Sequence, residues 1–270
     1  RTLQKNALDH HPLVRFSLVL CIHNFSLPTA MKQEKTAIDA PLATSNFNLP
    51  EGTKHRMEIS GVRLLFGERL ILSDVYLKIE TGEVVGLLGR NGCGKSSLMQ
   101  GVYGTLPCEK SVSINDIHFH EVYKHPHLAR YLPQHGFIPK WLTLNQVFRD
   151  FGVELAPFVE LFPEFQGRRG STISQLSGGM YRMVELYVIL KSDTRFVFLD
   201  EPFTHISPIQ IQTIKSLIHD ERGRKGILIT DHLHSHIHDC CDSVYLLQEG
   251  KTSIINEKKE FTKLGYLHKL

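Results

Sequence analysis

Apolar positions along the chain fall into two patterns. Short continuous runs rich in β-formers occur at Val84, Val85, Leu87 and Leu88, at Phe196, Val197, Phe198 and Leu199, in GILIT (226–230) and in SVYLLQEG (243–250). Runs of this length read as strands buried on both faces, as in the parallel sheet of an α/β protein. Between them the spacing turns helical. Met183, Val184, Tyr187, Val188 and Leu190 follow an N-cap at Ser177, and Ile211, Ile214, Leu217 and Ile218 follow Ser207-Pro208. A further helix through SLMQGVYG is expected to end near Gly104. Before Met57 no period is sustained: Leu13–Ile22 is briefly apolar, too short and interrupted for a signal segment, and Ser/Thr/Asn/Pro-rich text follows. Residues 1–56 are therefore expected to be a disordered or non-native extension, 57–255 the domain and 256–270 a tail.

Composition narrows the class. With 270 residues the chain can bury a sizeable core, and its 41% hydrophobic and 22% charged content is ordinary for a globular protein. A net charge of +3 without charge blocks argues against nucleic acid as the main partner. No apolar run reaches the roughly 18 residues of a membrane span. Five cysteines, an odd number without CxxC spacing, indicate neither a disulfide framework nor a zinc ribbon, and a reduced cytosolic compartment is the default.

The candidate chemistry begins at the end of the first buried strand. GRNGCGKSS (89–97) fits GxxxxGK[ST] between a strand and a helix, the setting a phosphate-binding loop requires. Gly89, Gly92 and Gly94 permit backbone angles that turn amide groups inward, and the helix N-terminus adds its positive dipole end. Gly89, Asn91, Gly92, Cys93, Gly94, Lys95, Ser96 and Ser97 make up the expected cradle for a nucleotide, with Cys93 a small space-filler. Lys95 should reach the β- and γ-phosphates, and the Ser96 hydroxyl should hold Mg²⁺. RFVFLDEP (195–202) delivers two carboxylates at a strand's C-terminal end, where open α/β sheets bind ligands. Asp200 there suits Mg²⁺, and Glu201 suits orienting or deprotonating an attacking water. Upstream, Leu176-Ser177-Gly178-Gly179 opens a well-capped helix.

Phosphate loop, LSGG and paired acids in this order resemble the nucleotide-binding subunit of an ATP-binding cassette (ABC) transporter over roughly residues 57–255. The resemblance implies a P-loop NTPase fold with a RecA-like core, an antiparallel β subdomain and a helical subdomain inserted at about 135–176. It also implies that Phe66 stacks on adenine, and that Gln134 touches Mg²⁺ and the attacking water. Ser177, Gly178 and Gly179 are implied to contact the ATP of a second cassette across a head-to-tail dimer, and His232 to contact the γ-phosphate. The implied ligands are ATP and Mg²⁺; the implied partners are a second cassette and separate transmembrane permease subunits, with no direct nucleic acid. The implied location is cytoplasmic, on the inner face of the membrane through those subunits. VEL after the signature, DEPF with a proline six residues beyond Pro202, and TDH resemble cassettes of lipopolysaccharide export and branched-chain amino-acid type.

Trp141, Phe137, Phe148 and Phe151 in the helical segment are read either as a contact surface for membrane subunits or as core. Two positions depart from the family pattern. Met180 replaces the glutamine after LSGG, which leaves the amide donors in place, and Ser207 replaces the usual aspartate, leaving a helix cap but no charge. The alternative function is a soluble, non-transport ABC ATPase or an ATP-gated regulatory partner. In ITDHLHSHIHDCCD (229–242), His232 has the chemical assignment; His234, His236 and His238 are expected on a helix surface, with Cys240 and Cys241 near the core.

Overall fold

The computed structural model describes residues 54–232 and 234–255, so 1–53, 256–270 and Leu233 lie outside the described residues. Strand β1, Arg56–Phe66, alternates in two stretches, Met57 and Ile59 then Val62 and Leu64 turning inward, with the phase shifting by one residue where the register with its neighbour slips between Ser60 and Arg63. That period of two fits a sheet with one buried face. It pairs antiparallel with β2 (Arg69–Leu72), β3 (Leu77–Glu80) and β5 (Glu109–Ile114), and β5 pairs with β6 (Ile117–His118). His55 and Arg56, placed in the extension by their lack of periodicity, are tied to this sheet and to the turn that follows β3. The His55 amide donates to Thr81 Oγ1 at 2.9 Å, and Arg56 pairs with Glu80.

The second sheet runs β11-β10-β4-β9-β8-β7, with ranges Lys251–Ile255, Ser243–Gln248, Val84–Leu88, Gly226–Thr230, Phe196–Asp200 and Ala129–Leu132. All its pairings are parallel except β10 with β11. Every residue of β4, β8 and β9 is buried, as the continuous apolar runs require of strands covered on both faces.

Helix α1, Lys95–Tyr103, ends at Gly104, whose φ of 98° lets its amide turn back to the carbonyls of Gln100 and Gly101. Helices α2 (Leu144–Phe151) and α3 (Leu155–Leu161) form the insertion, and Thr143 with Gln146 closes a capping box at the start of α2. Helix α4, Gly178–Lys191, is capped by Ser177. Helix α5, Pro208–Arg222, is capped by Ser207, with Ile211, Ile214, Leu217 and Ile218 buried as their spacing requires. Helix α6 is His234–Cys240.

The insertion is held to α4 by aromatic rings. Phe158 lies 4.9 Å from Phe148, 4.5 Å from Phe165 and 4.8 Å from Tyr187 of α4, centroid to centroid. The two readings of the aromatics therefore divide. Phe148 and Phe151 are core, Phe137 is half-buried with its ring edge-on to Phe151, and Trp141 is 69% exposed. Truncating Phe158→Ala should cost about 3–5 kcal/mol, read as a lowered denaturant midpoint for unfolding of the chain.

Candidate functional site

Four parallel strands end side by side because their register aligns them: Leu87 and Asp200 both pair with Thr230, and Leu132 pairs with Leu199. The segments leaving these ends are the phosphate loop, the Pro133-Gln134 loop, the acidic pair and the Asp231-His232 turn. They border a cleft of ≈ 530 Å³ lined by Phe66, Asn91, Gly92, Gly94, Lys95, Ser96, Ser97, Gln134, Glu201 and His232, with Arg69 and Ile71 from β2.

Gly94 has φ 108°, and a Cβ there would come within 2.9 Å of Ile71 Cγ2, so both conformation and space demand glycine. Gly89 and Cys93 are not among the residues lining the cleft. A Cβ on Gly89 would sit 2.6 Å from Cys93 Sγ, so the thiol fills the space beside that glycine. Lys95 Nζ folds back on its own loop, donating to the carbonyls of Gly89 at 2.8 Å and Arg90 at 3.2 Å.

Asp200 is 1% exposed. It accepts from Ser96 Oγ at 3.1 Å, Thr230 Oγ1 at 2.9 Å and Tyr131 OH at 3.0 Å. Burial pushes its pKa up, against the pull of these three hydroxyls. Burial and the adjacent carboxylate also push the Tyr131 phenol well up, which keeps it an O–H donor. Among the described residues no group of three or more His, Cys, Asp or Glu side chains could hold a metal ion. One carboxylate beside one hydroxyl would suit Mg²⁺ held jointly with a bound ligand.

Glu201 has the unusual backbone φ of 46°. Such a conformation costs a non-glycine residue about 1–3 kcal/mol and persists where neighbours over-determine it. Its amide donates to the Thr230 carbonyl at 3.1 Å, and Gln134 Nε2 donates to its Oε2 at 2.8 Å. His232 Nδ1 stands 3.9 Å from that same Oε2 and 3.5 Å from Asp231 Oδ1.

Ser177, Gly178 and Gly179 are not among the residues lining the cleft. Ser177 and Gly178 are exposed at the start of α4, where Ser177 Oγ accepts from the Met180 amide at 3.3 Å. Gly179 packs so closely on the loop after β8 that a Cβ would meet the His205 carbonyl at 2.7 Å. In the histidine run His238 is exposed, and His236 is half-buried with its ring edge-on to Phe203 at 4.7 Å. Cys240 and Cys241 are both half-buried, with burial raising their thiol pKa values.

Sequence reasoning missed Tyr131, Thr230, Arg69, Arg182 and Glu185. Arg182 and Glu185 carried a readable signal, two opposite charges three apart inside a helix whose flanking positions are apolar.

A glycine loop and helix N-terminus facing a buried acid at adjoining parallel strand ends define a P-loop nucleotide-binding protein. The family model described as ABC transporter matches residues 72–204. The lipopolysaccharide export system ATP-binding protein LptB of Haemophilus influenzae is 33% identical over 202 residues, 69% of this chain and 84% of that protein. An uncharacterized ABC transporter ATP-binding protein of Rhizobium meliloti is 32% identical over 206 residues, 71% of this chain and 76% of its own length. A solved structure titled as the ATP binding subunit of an ABC transporter aligns with TM-score 0.68 and 22% identity, covering 78% of this chain and 93% of that one. The chain belongs to the ABC transporter family, as an ATP-binding subunit.

Because the folded-state pKa of Asp200 lies above its ordinary value of 3.8, the folded state holds that proton more tightly than the unfolded state does. Its ionised form thus costs stability above the raised pKa, and the cost fades as pH falls toward 3.8. In metal-free, nucleotide-free buffer, Asp200→Asn should unfold at a higher temperature than the parent at neutral pH. The margin should narrow on acidification, followed by thermal scans across the pH series.

Proposed function

We propose that the chain is a Mg²⁺-dependent ATPase that powers transport by closing head to tail on a second cassette while docked to separate transmembrane subunits at the cytoplasmic face. The observation that carries this reading is the convergence of Lys95, Ser96, Gln134, Glu201 and His232 on one cleft above the buried Asp200.

Lys95 leaves the carbonyls of Gly89 and Arg90 for the β- and γ-phosphates, while the loop amides and the α1 N-terminus take the remaining oxygens. Ser96 and Asp200 would hold Mg²⁺, which when bound offsets phosphate charge. Glu201 orients the attacking water and draws off its proton, with Gln134 holding the carboxylate in place. The water oxygen bonds to the γ-phosphorus, the bond from that phosphorus to the bridging oxygen breaks, and ADP and phosphate result. His232 donates to the γ-phosphate, and Phe66, 51% exposed at the cleft mouth, stacks on adenine.

Ser177 and Gly178 point to a trans role, since they are exposed and outside the cleft lining of their own chain. Offered to a second cassette's ATP, each hydrogen bond to a charged phosphate oxygen contributes about 1.5–3 kcal/mol. ATP then favours the closed pair by differential affinity, and hydrolysis lets it reopen. Exposed Trp141 on the helical insertion is the proposed contact for membrane subunits. Among the described residues no helix is long and apolar enough to cross a membrane.

Glu201→Gln should lower Mg-ATP-dependent phosphate release by about 10²–10⁴-fold while nucleotide binding persists, and chelation of Mg²⁺ should abolish release. Equal release by parent and variant would overturn the role of Glu201. Affinity capture from detergent-solubilised membranes should recover the chain with a polytopic membrane protein; recovery without one would remove the docking claim.

A further inference from the structure

Helix α4 carries a buried ion pair whose contacts flank Gln134 and reach the backbone of Glu201, two residues that line the cleft. Arg182 Nη1 donates to the Pro133 carbonyl at 2.7 Å and lies 3.4 Å from Glu185 Oε2. Its Nη2 donates to the carbonyls of Asp200 at 2.9 Å and Glu201 at 3.1 Å. Glu185 Oε1 accepts from the amides of Phe137 at 2.6 Å and Ile138 at 3.4 Å. Tyr181, also on α4, donates to the Ile138 carbonyl at 2.9 Å and lays its ring over Gly136, where a Cβ would meet Cε1 at 2.4 Å. One helix face thus fastens both ends of the Gln134 loop and the backbone of both acidic residues.

Stability alone does not call for such a pair. Desolvating two charges is expensive, and a well-packed apolar pair of similar volume serves a core as well or better. What a guanidinium fork supplies is direction, with donors fixed in one plane. Here the fork fixes the carbonyl of Glu201 while Thr230 fixes its amide, so the left-handed residue is held on both sides.

We infer that Arg182 and Glu185 are positioning residues for hydrolysis. The Arg182 fork keeps Glu201 in the strained backbone that directs its carboxylate toward Gln134, and Glu185 ties that fork to the start of the helical insertion. The catalytic carboxylate and the surface proposed to meet membrane subunits are thereby parts of one mechanical unit. This rests on the ATPase reading above.

The test uses the full chain, measuring steady-state phosphate release against ATP concentration for three variants. Arg182→Lys keeps a charge beside Glu185 but loses the fork; kcat should fall by about 30- to 100-fold, as for a small misplacement of a reacting group. KM for ATP should stay within about threefold, because the phosphate contacts are intact. Arg182→Met combined with Glu185→Leu leaves no lone buried charge, though it frees the backbone groups the pair had satisfied; once thermal unfolding shows it folded at the assay temperature, it should show the same fall in kcat. A folded Arg182→Lys or folded double variant with kcat within about twofold of the parent overturns the inference, as does a loss carried by KM rather than kcat. Glu201→Gln, run alongside, separates the two claims. If it hydrolyses ATP at the parent rate, the site reading fails; if it is inactive while Arg182→Lys is fully active, only the positioning role fails.

Discussion

The chemistry of this chain depends on the parallel pairing of β7, β8, β9 and β4, four strands whose C-terminal ends finish at one level. Parallel strands with both faces covered leave their chain ends as the place where backbone can turn out toward a ligand. Asp200 sits at that boundary, the last residue of a strand otherwise apolar, and three hydroxyls from β7, β9 and α1 close around its carboxylate. Pairing slipped by one residue would turn Asp200 to the other face of the sheet and bury the charge among apolar side chains. The register that builds the core therefore also builds the site.

Immediately beyond Asp200 the backbone leaves ordinary geometry. Glu201 is left-handed, and its neighbours rather than its own preference keep it so: Thr230 at its amide and Arg182 at its carbonyl. A carboxylate on a strained, doubly anchored residue is held more narrowly than one on a free loop, which suits the role proposed for Glu201. The cost is met by a buried charge pair on α4, a helix that also carries the exposed signature turn. One element thus presents Ser177 outward and steadies Glu201 inward.

The helical insertion belongs to the same arrangement. Its rings, those of Phe148 and Phe158, pack on Tyr187 of α4, so the insertion and that helix share one aromatic core. Packed aromatic cores shift as units rather than deforming continuously. The aromatic residues of the insertion thereby separate into a buried core, Phe148 with Phe158, and an exposed Trp141.

The amino-acid sequence by itself determined many of the elements and marked most of the residues that line the cleft. Continuous apolar runs marked β4, β8, β9 and β10, glycine spacing marked the phosphate loop, and Ser177 and Ser207 marked two helix starts. Those signals are local, a period or a spacing that any reader of the chain can measure. Tertiary structure decided what depends on distant segments meeting. Tyr131 and Thr230 look like ordinary strand residues until register places them on Asp200. Phe148 and Trp141 are equivalent as aromatics until packing buries one and exposes the other. Arg182 and Glu185 stand as opposite charges among apolar neighbours in the sequence, and only the fold shows them buried together, gripping the loop and the acidic strand end. Burial and hydrogen-bond partners across such separations are set by the three-dimensional arrangement of the strands and helices, which no local pattern encodes.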